Sequence, residues 1–409
     1  DTATTEIYTL SLHDALPIFR HRRVLLHQGA RKWLATRNTP IMKTTIRNPI
    51  GGLAFVSALI FTLQPSSARA QGSLTPPGAP GPTMKTLQQI EPRTPIASAP
   101  FTITQPGSYY LTTNLTVSSG NAIVIATNGV TLDLNGFTIS STAPSATGAA
   151  ILLNSGLSDV TICNGHIRGG VTNNGGVYSG PGFGGGIEYS GAAPRNVRVS
   201  SINVSGCRFE GIRLGSSVAT VVEGCMVWTV GGNGIVGGVV KGSVALECGG
   251  TAISGVTVSD CWGHSAGSGD GVSAITAVNC YGYSSSGSGD GVDAYRTALN
   301  CYGYSAGGSG VVATVAQNCY GSSGSSYGVS ANAALNCYGS STSSYGLVAY
   351  RTALSCFGIS TSGPAGLSVQ AAAFSVGRRT GGRAIEATVA NGCWADGGTN
   401  FITYKYNMP

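Results

Sequence analysis

The chain has 409 residues, of which 62 are glycine and only 10% are charged, and its formal net charge is +7. Nine basic and three acidic residues fall within residues 1–70, whereas the rest of the chain nearly balances 14 basic against 13 acidic residues. A basic surface for nucleic acid or an anionic membrane is therefore not expected in the main part of the protein. Scarce charge and abundant β-branched residues also argue against disorder and favour short strands joined by tight turns.

Residues 42–70 have the pattern of a signal peptide. Two basic residues are followed by an apolar run too short to span a membrane and then by Ala-Arg-Ala. We expect cleavage after Ala70, which would make the protein secreted, either extracellular or on the cell surface, with no membrane span in the mature chain. Residues 1–41 resemble a translated sequencing adapter or upstream read and are interpreted as a non-native leader.

The later segments are predicted to be a solenoid with flanking caps. Residues 71–95 are rich in Pro and Gly, which favours a linker and an N-terminal cap. Residues 96–395 contain short alternating runs and turn residues without a convincing long amphipathic helix, so we predict strands throughout. Residues 396–409 are expected to be a C-terminal cap or tail.

A repeat of about 20 residues runs through the predicted solenoid. Apart from Cys248, the cysteines from position 207 to 356 are spaced by 18 to 21 residues or by one double interval. The sequence "NCYG" or a near copy recurs at 260–263, 279–282, 300–303, 318–321, 336–339 and 355–358. Strands and turns with such a period indicate a β-solenoid, in which rungs of about 18–22 residues stack about 4.8 Å apart.

Three further segments carry a resemblance to a known family. They are "VTLDLNGFTIS" at 130–140, "VTICNGHIRGG" at 160–170, and residues 186–215. They look like the repeats of secreted bacterial right-handed parallel β-helix proteins, which are relatives of pectate lyases and polygalacturonases. The resemblance covers roughly residues 96–395 and implies an all-β, single-stranded right-handed parallel β-helix. It leaves the function open, because this fold hosts lyases, hydrolases, epimerases, tailspikes and adhesins.

Equal spacing places the four residues of each "NCYG" copy at the same point of every rung. Asn is predicted to occupy a bend in the left-handed conformation, with its amide bonded to the next Asn. Cys is small enough for a narrow interior, and Gly is predicted to let the backbone turn. A reduced cysteine ladder is the favoured interpretation, some disulfide bridges are the alternative, and a metal site is disfavoured because no Cys-x-x-Cys occurs.

The aromatic residues of the repeat are candidates for ligand binding. If they point outward, six rings in a row would form a surface suited to sugar rings; if the bend shifts the alternation, the rings fill the core. The sequence leaves both arrangements open. The expected partner is a polysaccharide or cell-surface glycan. The candidates are Trp262, Tyr281, Tyr302, Tyr320, Tyr338 and Phe357.

An acidic cluster is the candidate catalytic site. Asp270 and Asp290 lie one rung apart, so their carboxylates are expected about 5 Å from each other, with Asp293, Arg296 and His264 near them. Two close carboxylates would shift each other's pKa and suit a retaining glycosidase. The lyase resemblance would imply a Ca²⁺ site at the three aspartates with Arg296 as base, and no other cofactor is expected. Both Gly-Asp-Gly sequences also fit ordinary turns.

The function expected from the sequence is polysaccharide recognition by a secreted or cell-surface, adhesin-like protein. The alternatives are a polysaccharide lyase or glycoside hydrolase, and a purely structural surface or filament protein, so enzymatic activity is left open. Even rung lengths favour a uniform binding face. The Gly-rich excursion at 169–186 is the one insertion expected to shape a groove.

Overall fold

The chain winds as a single parallel β-solenoid of about 16 turns. The computed structural model describes residues 91–216 and 219–408. No helix occurs in these two ranges, and therefore none that is long and apolar enough to cross a membrane. The predicted parallel β-helix is confirmed. The predicted non-native leader (1–41), the signal peptide (42–70) and most of the linker (71–95) lie outside the described residues.

The described residues form 35 strands, of which the first 15 vary in length. These are β1 (Thr94–Ile96), β2 (Phe101–Ile103), β3 (Gly107–Leu111), β4 (Leu115–Val117), β5 (Ile123–Ile125), β6 (Val130–Asp133), β7 (Thr138–Ser141), β8 (Ala149–Leu153), β9 (Ser158–Arg168), β10 (Thr172–Asn174), β11 (Val177–Ser179), β12 (Gly185–Tyr189), β13 (Arg195–Cys207), β14 (Ile212–Arg213) and β15 (Thr220–Glu223).

The later strands alternate between short and long. They are β16 (Met226–Val230), β17 (Ile235–Lys241), β18 (Val244–Cys248), β19 (Ile253–Ser259), β20 (Trp262–Ser265), β21 (Val272–Val278), β22 (Tyr281–Ser284), β23 (Val292–Leu299), β24 (Tyr302–Ser305), β25 (Val311–Gln317), β26 (Tyr320–Ser323), β27 (Val329–Leu335), β28 (Tyr338–Ser341), β29 (Leu347–Leu354), β30 (Phe357–Ser360), β31 (Ala365–Ala373), β32 (Val376–Arg378), β33 (Arg383–Asn391), β34 (Trp394–Asp396) and β35 (Thr399–Tyr406).

Each turn has three walls. A short strand such as β24 forms wall 1, the first half of the next long strand forms wall 2, and its second half forms wall 3. In β25 the inward residues are Val311, Ala313 and Ala316, so the alternation changes phase after Ala313. Thr314 and Val315 are consecutive exposed residues, as a kink between two walls requires. Each strand pairs in parallel with the equivalent strand of the next turn.

The bend between wall 3 and wall 1 is held by a column of left-handed residues. Asn279, Asn300, Asn318 and Asn336 have φ of 50–53°. Each amide nitrogen donates to the side-chain oxygen of the preceding rung, at 3.0–3.3 Å, beginning with Asn279 on Asp260. The predicted asparagine ladder is confirmed. Glycines at 224, 242 and 392 occupy the same column with φ of 55–60°, because Gly tolerates this conformation.

The prediction that the repeat glycine serves a turn is wrong. Gly303 lies inside β24 between two outward tyrosines and is not among the residues with positive φ. A Cβ there would overlap the carbonyl oxygen of Gly310, at the start of wall 2 in the same turn. The glycine is needed because walls 1 and 2 approach each other closely at this edge of the solenoid.

The cysteine ladder is interior, as predicted, but it does not contain every cysteine that the spacing assigns to it. Cys261, Cys280, Cys301, Cys319, Cys337 and Cys356 are buried in one column. Cys207 instead lies in a column with Cys248, and Ser265 continues that column. The reason is that Cys207 stands at the end of β13, whereas the ladder cysteines come directly after the bend. Cys163 is only half-buried and lies on wall 3. All eleven cysteines are free thiols.

The interior side chains of the most regular turns are smaller than those of the first turns. Early turns are filled by large residues such as Ile103, Leu111 and Leu115, whereas a later turn is filled by Val311, Ala313 and similarly small residues.

Two departures from the repeat lie at the predicted insertion and at the C-terminal end. Within 169–186, β10 and β11 form an antiparallel hairpin, and the Tyr178 hydroxyl donates to the carbonyl of Glu247 at 3.1 Å. Residues 396–409, expected as a cap or tail, include β35, which pairs in parallel with β33 over most of its length. Its residues are largely exposed, so this last strand covers the end of the ladder while continuing the solenoid.

Candidate functional site

The aromatic ladder lies on the outer surface of wall 1. In β22 and β24 the burial alternates so that Gly and Ser face inward and the aromatic residues face outward. Trp262 is 48% exposed and Tyr281 38% exposed. The structure therefore selects the outward arrangement between the two that the sequence left open. The bend at Asn does not shift the alternation, because Cys is the inward residue next to it.

The rings of this ladder are stacked on one another. Tyr281, Tyr302, Tyr320 and Tyr338 have successive centroid distances of 4.7–4.8 Å and interplanar angles of 2–5°. Phe357 continues the stack at 5.5 Å, whereas Trp262 meets Tyr281 edge-on at 79°. Rings stacked at the rung spacing cover each other's faces. The ladder therefore presents ring edges and a row of hydroxyl groups to solvent, and not the row of open ring faces that sugar stacking needs.

A second outward column lies beside the first. His264, Tyr283 and Tyr304 are two residues beyond the ladder residues of their strands and pair in register. Tyr283 and Tyr304 are stacked at 4.9 Å, and His264 meets Tyr283 edge-on at 4.8 Å. The sequence signal was available in the repeated "YGYS", whose first and third residues share one face of a strand. The two columns together form an aromatic patch three rungs long and two residues wide.

The structure places His264 in this patch and not with the aspartates. Its Nε2 lies 3.3 Å from the Ser285 hydroxyl oxygen, and burial lowers the pKa of His264. These contacts give it a role in packing the wall 1 surface.

Wall 1 carries exposed apolar residues beyond the repeat as well. Met226 and Trp228 on β16 are 44% and 50% exposed, and the indole nitrogen of Trp228 donates to Glu247 at 3.2 Å. Towards the N-terminal end, a shallow depression of about 440 Å³ is lined in part by His166 and Arg168. The surface of wall 1 is thus continuous over many turns.

The three predicted aspartates do come together at the start of wall 2. Asp290 donates its backbone N–H to Asp270 Oδ1 at 2.8 Å, and the Ser309 backbone N–H donates to Asp290 Oδ1 at 2.6 Å. Burial raises the pKa of Asp290 to about 7, with further contributions from the charges of Asp270 and Asp293. Burial also raises the pKa of Asp270 and Asp293.

The contacts of Asp270 and Asp290 are those of a structural column. Asn233 and Thr251, two rungs and one rung before Asp270, likewise accept the backbone N–H of the following rung, at 2.9 and 3.3 Å. Each side chain in this column therefore satisfies a backbone donor that the turn would otherwise leave unpaired. The turn interpretation of the Gly-Asp-Gly sequences accounts for these contacts.

Arg296 lies at a β-bulge. Tyr295 and Arg296 of β23 together oppose the single residue Ile275 of β21, and Tyr295 is 74% exposed. The second "AYRTAL" copy forms the same bulge in β29, where Tyr350 and Arg351 oppose one residue in each neighbouring strand. The extra residue turns the side chains outward at the kink between walls 2 and 3. The sequence echo thus marks two bulges, three rungs apart.

A groove on wall 2 was not anticipated from the sequence. It has a volume of about 320 Å³ and is lined by Tyr327, Tyr345, Val348, Ala349, Tyr350, Ser368, Val369 and Gln370. Tyr327 and Tyr345 stand at the start of wall 2 in the same column as Asp290. Tyr350 stands at the opposite edge, on the second bulge. The repeated "SSYG" in the sequence indicated the first two tyrosines. That Tyr350 lies opposite them is evident only from the bulge in the structure.

No group of three or more His, Cys, Asp or Glu that could hold a metal ion occurs in residues 91–216 and 219–408. The calcium site at the three aspartates stays a prediction. The hairpin at 169–186 contributes no residue to either of the two depressions described above, so the groove-shaping role expected for that excursion is not seen at them.

Comparisons with known proteins give structural likeness only. No protein-family model and no curated protein matches the chain. Among solved structures, it is similar to the tailspike protein gp49 of Acinetobacter baumannii bacteriophage Fri1, described as a capsular polysaccharide depolymerase, with 12% identity and a TM-score of 0.28. That match covers 73% of this chain and 57% of the tailspike, so the chain corresponds to little more than half of that protein.

Two further structures are similar at the same low level. The receptor-binding domain of the Siphovirus 9NA tailspike has 11% identity and a TM-score of 0.28, with 80% of this chain and 75% of that domain covered. The Geobacillus virus E2 protein ORF18 has 10% identity and a TM-score of 0.20, with 75% and 53% covered.

Proposed function

We propose that the protein is a secreted or cell-surface polysaccharide-binding protein, adhesin-like in use, that contacts its glycan along wall 1. The observation that carries this proposal is the outward aromatic patch of Trp262, Tyr281, Tyr302 and the parallel column of Tyr283 and Tyr304. Contiguous exposed aromatic surface of this kind is typical of interaction sites. Stacked tyrosines are also already ordered, so little side-chain entropy is lost on binding.

The chemistry of the patch suits a sugar chain. Its tyrosine hydroxyls recur at the rung spacing of about 4.8 Å, and an extended glycan presents hydroxyl groups at a comparable interval. Hydrogen bonds with the tyrosine hydroxyl groups, rather than stacking on ring faces, are the expected contacts, because the faces are covered by neighbouring rings. A rigid row of donors and acceptors would match a repeating ligand at several points at once.

The test is retention of the protein on a panel of immobilised acidic and neutral polysaccharides, with and without Ca²⁺. Replacing Tyr302→Phe and Tyr320→Phe together removes two hydroxyl groups and keeps the stack, as Phe357 does naturally. We expect weaker retention by this double variant and unchanged retention by Tyr295→Phe, which alters a tyrosine away from wall 1. Equal retention of the wild-type protein, the double variant and Tyr295→Phe would contradict the role of wall 1.

A polysaccharide lyase or glycoside hydrolase is the second candidate. It is favoured by the pKa of Asp290, raised to about 7 beside Asp270 and Asp293, because groups poised near neutral pH are typical of acid–base catalysis. Turnover would appear in the same panel as new reducing or unsaturated ends. Loss of those ends in Asp290→Asn would support the enzyme; absence of new ends with every polysaccharide would leave the binding proposal in front. A protein with no retention and no turnover would fit a purely structural role.

Export rests on the sequence pattern of residues 42–70. We propose cleavage after Ala70, and N-terminal sequencing of the protein recovered from its native host tests this. A first residue of Gln71 would support export, and retention of residues 42–70 in the recovered protein would count against it.

A further inference from the structure

The groove on wall 2 differs from the aromatic ladder because its tyrosine ring faces are not covered by a neighbouring ring. Tyr327 and Tyr345 are 6.0 Å apart and tilted by 43°, so neither ring covers the face of the other as the ladder rings do. Tyr350 stands across the floor from them and is 57% exposed. Tyrosine rings on both sides of a floor can contact a flat, partly apolar ligand from two sides.

The floor and rim supply hydrogen-bonding groups without net charge. Val348 gives the floor an apolar surface, whereas Val369 faces the core, and Ser368 and Gln370 add a hydroxyl and an amide. No charged side chain lines the groove. Burial raises the pKa of Tyr345, and the two charged groups that also act on it, Glu386 and Arg383, pair with each other at 3.1 Å. A neutral ligand that offers both C–H surfaces and hydroxyl groups complements this lining.

The bulge is what completes the groove. In β27 and β31 a single residue occupies the kink, whereas β29 has two, Tyr350 and Arg351. The same bulge in β23 exposes Tyr295, but there the column across wall 2 holds Asp290 and Ser309 and no tyrosine. Bulges commonly re-aim a side chain beside a functional site. Only the second bulge faces a pair of tyrosines.

From these observations we infer that the groove formed by Tyr327, Tyr345 and Tyr350 is a subsite for neutral sugar, taking one or two uncharged pyranose units of a glycan. Its volume of about 320 Å³ lies at the lower end of the range of small-ligand sites, roughly 300–1,000 Å³. The inference rests on the proposed function in requiring a glycan ligand, but it uses a different wall and different residues.

The test is calorimetric titration of the purified protein with neutral tetrasaccharides built from glucose, mannose, galactose or xylose, and with oligogalacturonate as the acidic probe. Tyr350→Ala removes one side of the groove, and the exposed position of this ring leaves the core untouched. Tyr295→Ala is the matched control, because it removes the equivalent ring of the first bulge. Thermal melting of each variant checks that the fold is retained.

We expect at least one neutral tetrasaccharide to bind, with a Kd raised about threefold to tenfold in Tyr350→Ala and unchanged in Tyr295→Ala. The wall 1 double variant Tyr302→Phe, Tyr320→Phe should bind the same tetrasaccharide normally. Equal affinity of Tyr350→Ala and wild type, or a preference for oligogalacturonate that Tyr350→Ala removes, would overturn the neutral subsite and leave the proposed function standing. If neither tetrasaccharides nor the immobilised polysaccharides bind, both proposals fail.

Discussion

The side-chain amide of Asn300 donates to the side-chain oxygen of Asn279 at 3.1 Å, and both residues hold a φ of 53°. One residue type thus meets two requirements of the same corner. It adopts the left-handed conformation at modest cost, and its amide both donates to one neighbouring rung and accepts from the other. This pair of requirements explains why Asn, rather than Gly, recurs in the most regular turns.

Substitution at Asn300 should separate the contribution of the left-handed conformation to stability from that of the amide hydrogen bonds. Asn300→Ala loses two hydrogen bonds and strains a Cβ-bearing residue at positive φ, so we expect the free energy of unfolding to fall by about 1–3 kcal/mol. Asn300→Gly loses the same bonds without the strain and should cost less. Urea denaturation of the two variants measures the difference. Equal losses would show that the left-handed conformation contributes little.

The glycine inside β24 should tolerate no side chain. Gly303→Ala places a Cβ against the backbone oxygen of Gly310, which cannot move without separating walls 1 and 2. We expect a loss of more than about 3 kcal/mol or failure to fold, as for other strongly overpacked sites. Gly237→Ala is the matched control: it is a buried strand glycine whose new Cβ would meet the side chain of Val222 at 3.1 Å. A melting temperature for Gly303→Ala close to that of Gly237→Ala would contradict the tight approach.

The cysteines should titrate as free but protected thiols. Burial raises the pKa of both Cys207 and Cys261 to about 12. Every cysteine except Cys163 is buried, so a reagent has poor access to these thiols. Under native, non-reducing conditions we expect at most the half-buried Cys163 to react quickly with a thiol reagent. In denaturant, also without reductant, all eleven should react. A count of nine or fewer in denaturant would indicate disulfide bridges and contradict the reduced ladder.

The raised pKa of Asp290 should make stability depend on pH in a defined direction. A carboxyl whose pKa rises from 3.8 to about 7 on folding binds its proton more tightly in the folded state. Its contribution is therefore fully present below about pH 4 and is lost as the pH rises through 7. Asp290→Asn removes the charge and keeps an oxygen for the Ser309 N–H. We expect the variant to melt at a higher temperature than wild type at pH 8 but not at pH 4.

A control with the same change of charge accompanies this measurement. Asp260 lies at the exposed corner of the asparagine column, and the control variant is Asp260→Asn, because the next rungs already carry Asn there. It should leave the fall in melting temperature between pH 4 and 7 in place. A wild-type protein whose melting temperature rises steadily over that interval, with no difference in Asp290→Asn, would show that Asp290 titrates normally.

The sequence alone determined the fold and much of its internal order. A period near 20 residues in strands and turns can bury an inner face only by stacking, so a parallel solenoid followed from the spacing. The left-handed Asn and the inward Cys followed from the conformational preference of one and the size of the other. Each of these properties is set within one rung, and the repeat reproduces it in every rung.

Only the tertiary structure decided what the surface presents. Whether Tyr302 faces outward depends on the phase of alternation across the bend, and whether its ring face is free depends on the ring one rung away. The role of Gly303 depends on Gly310 across the interior, and the groove depends on a bulge that brings Tyr350 opposite Tyr345. Spacing along a chain specifies which residues share a column. It does not specify the distance between walls or the tilt of a ring, because these are set by packing between segments that the sequence pattern treats separately.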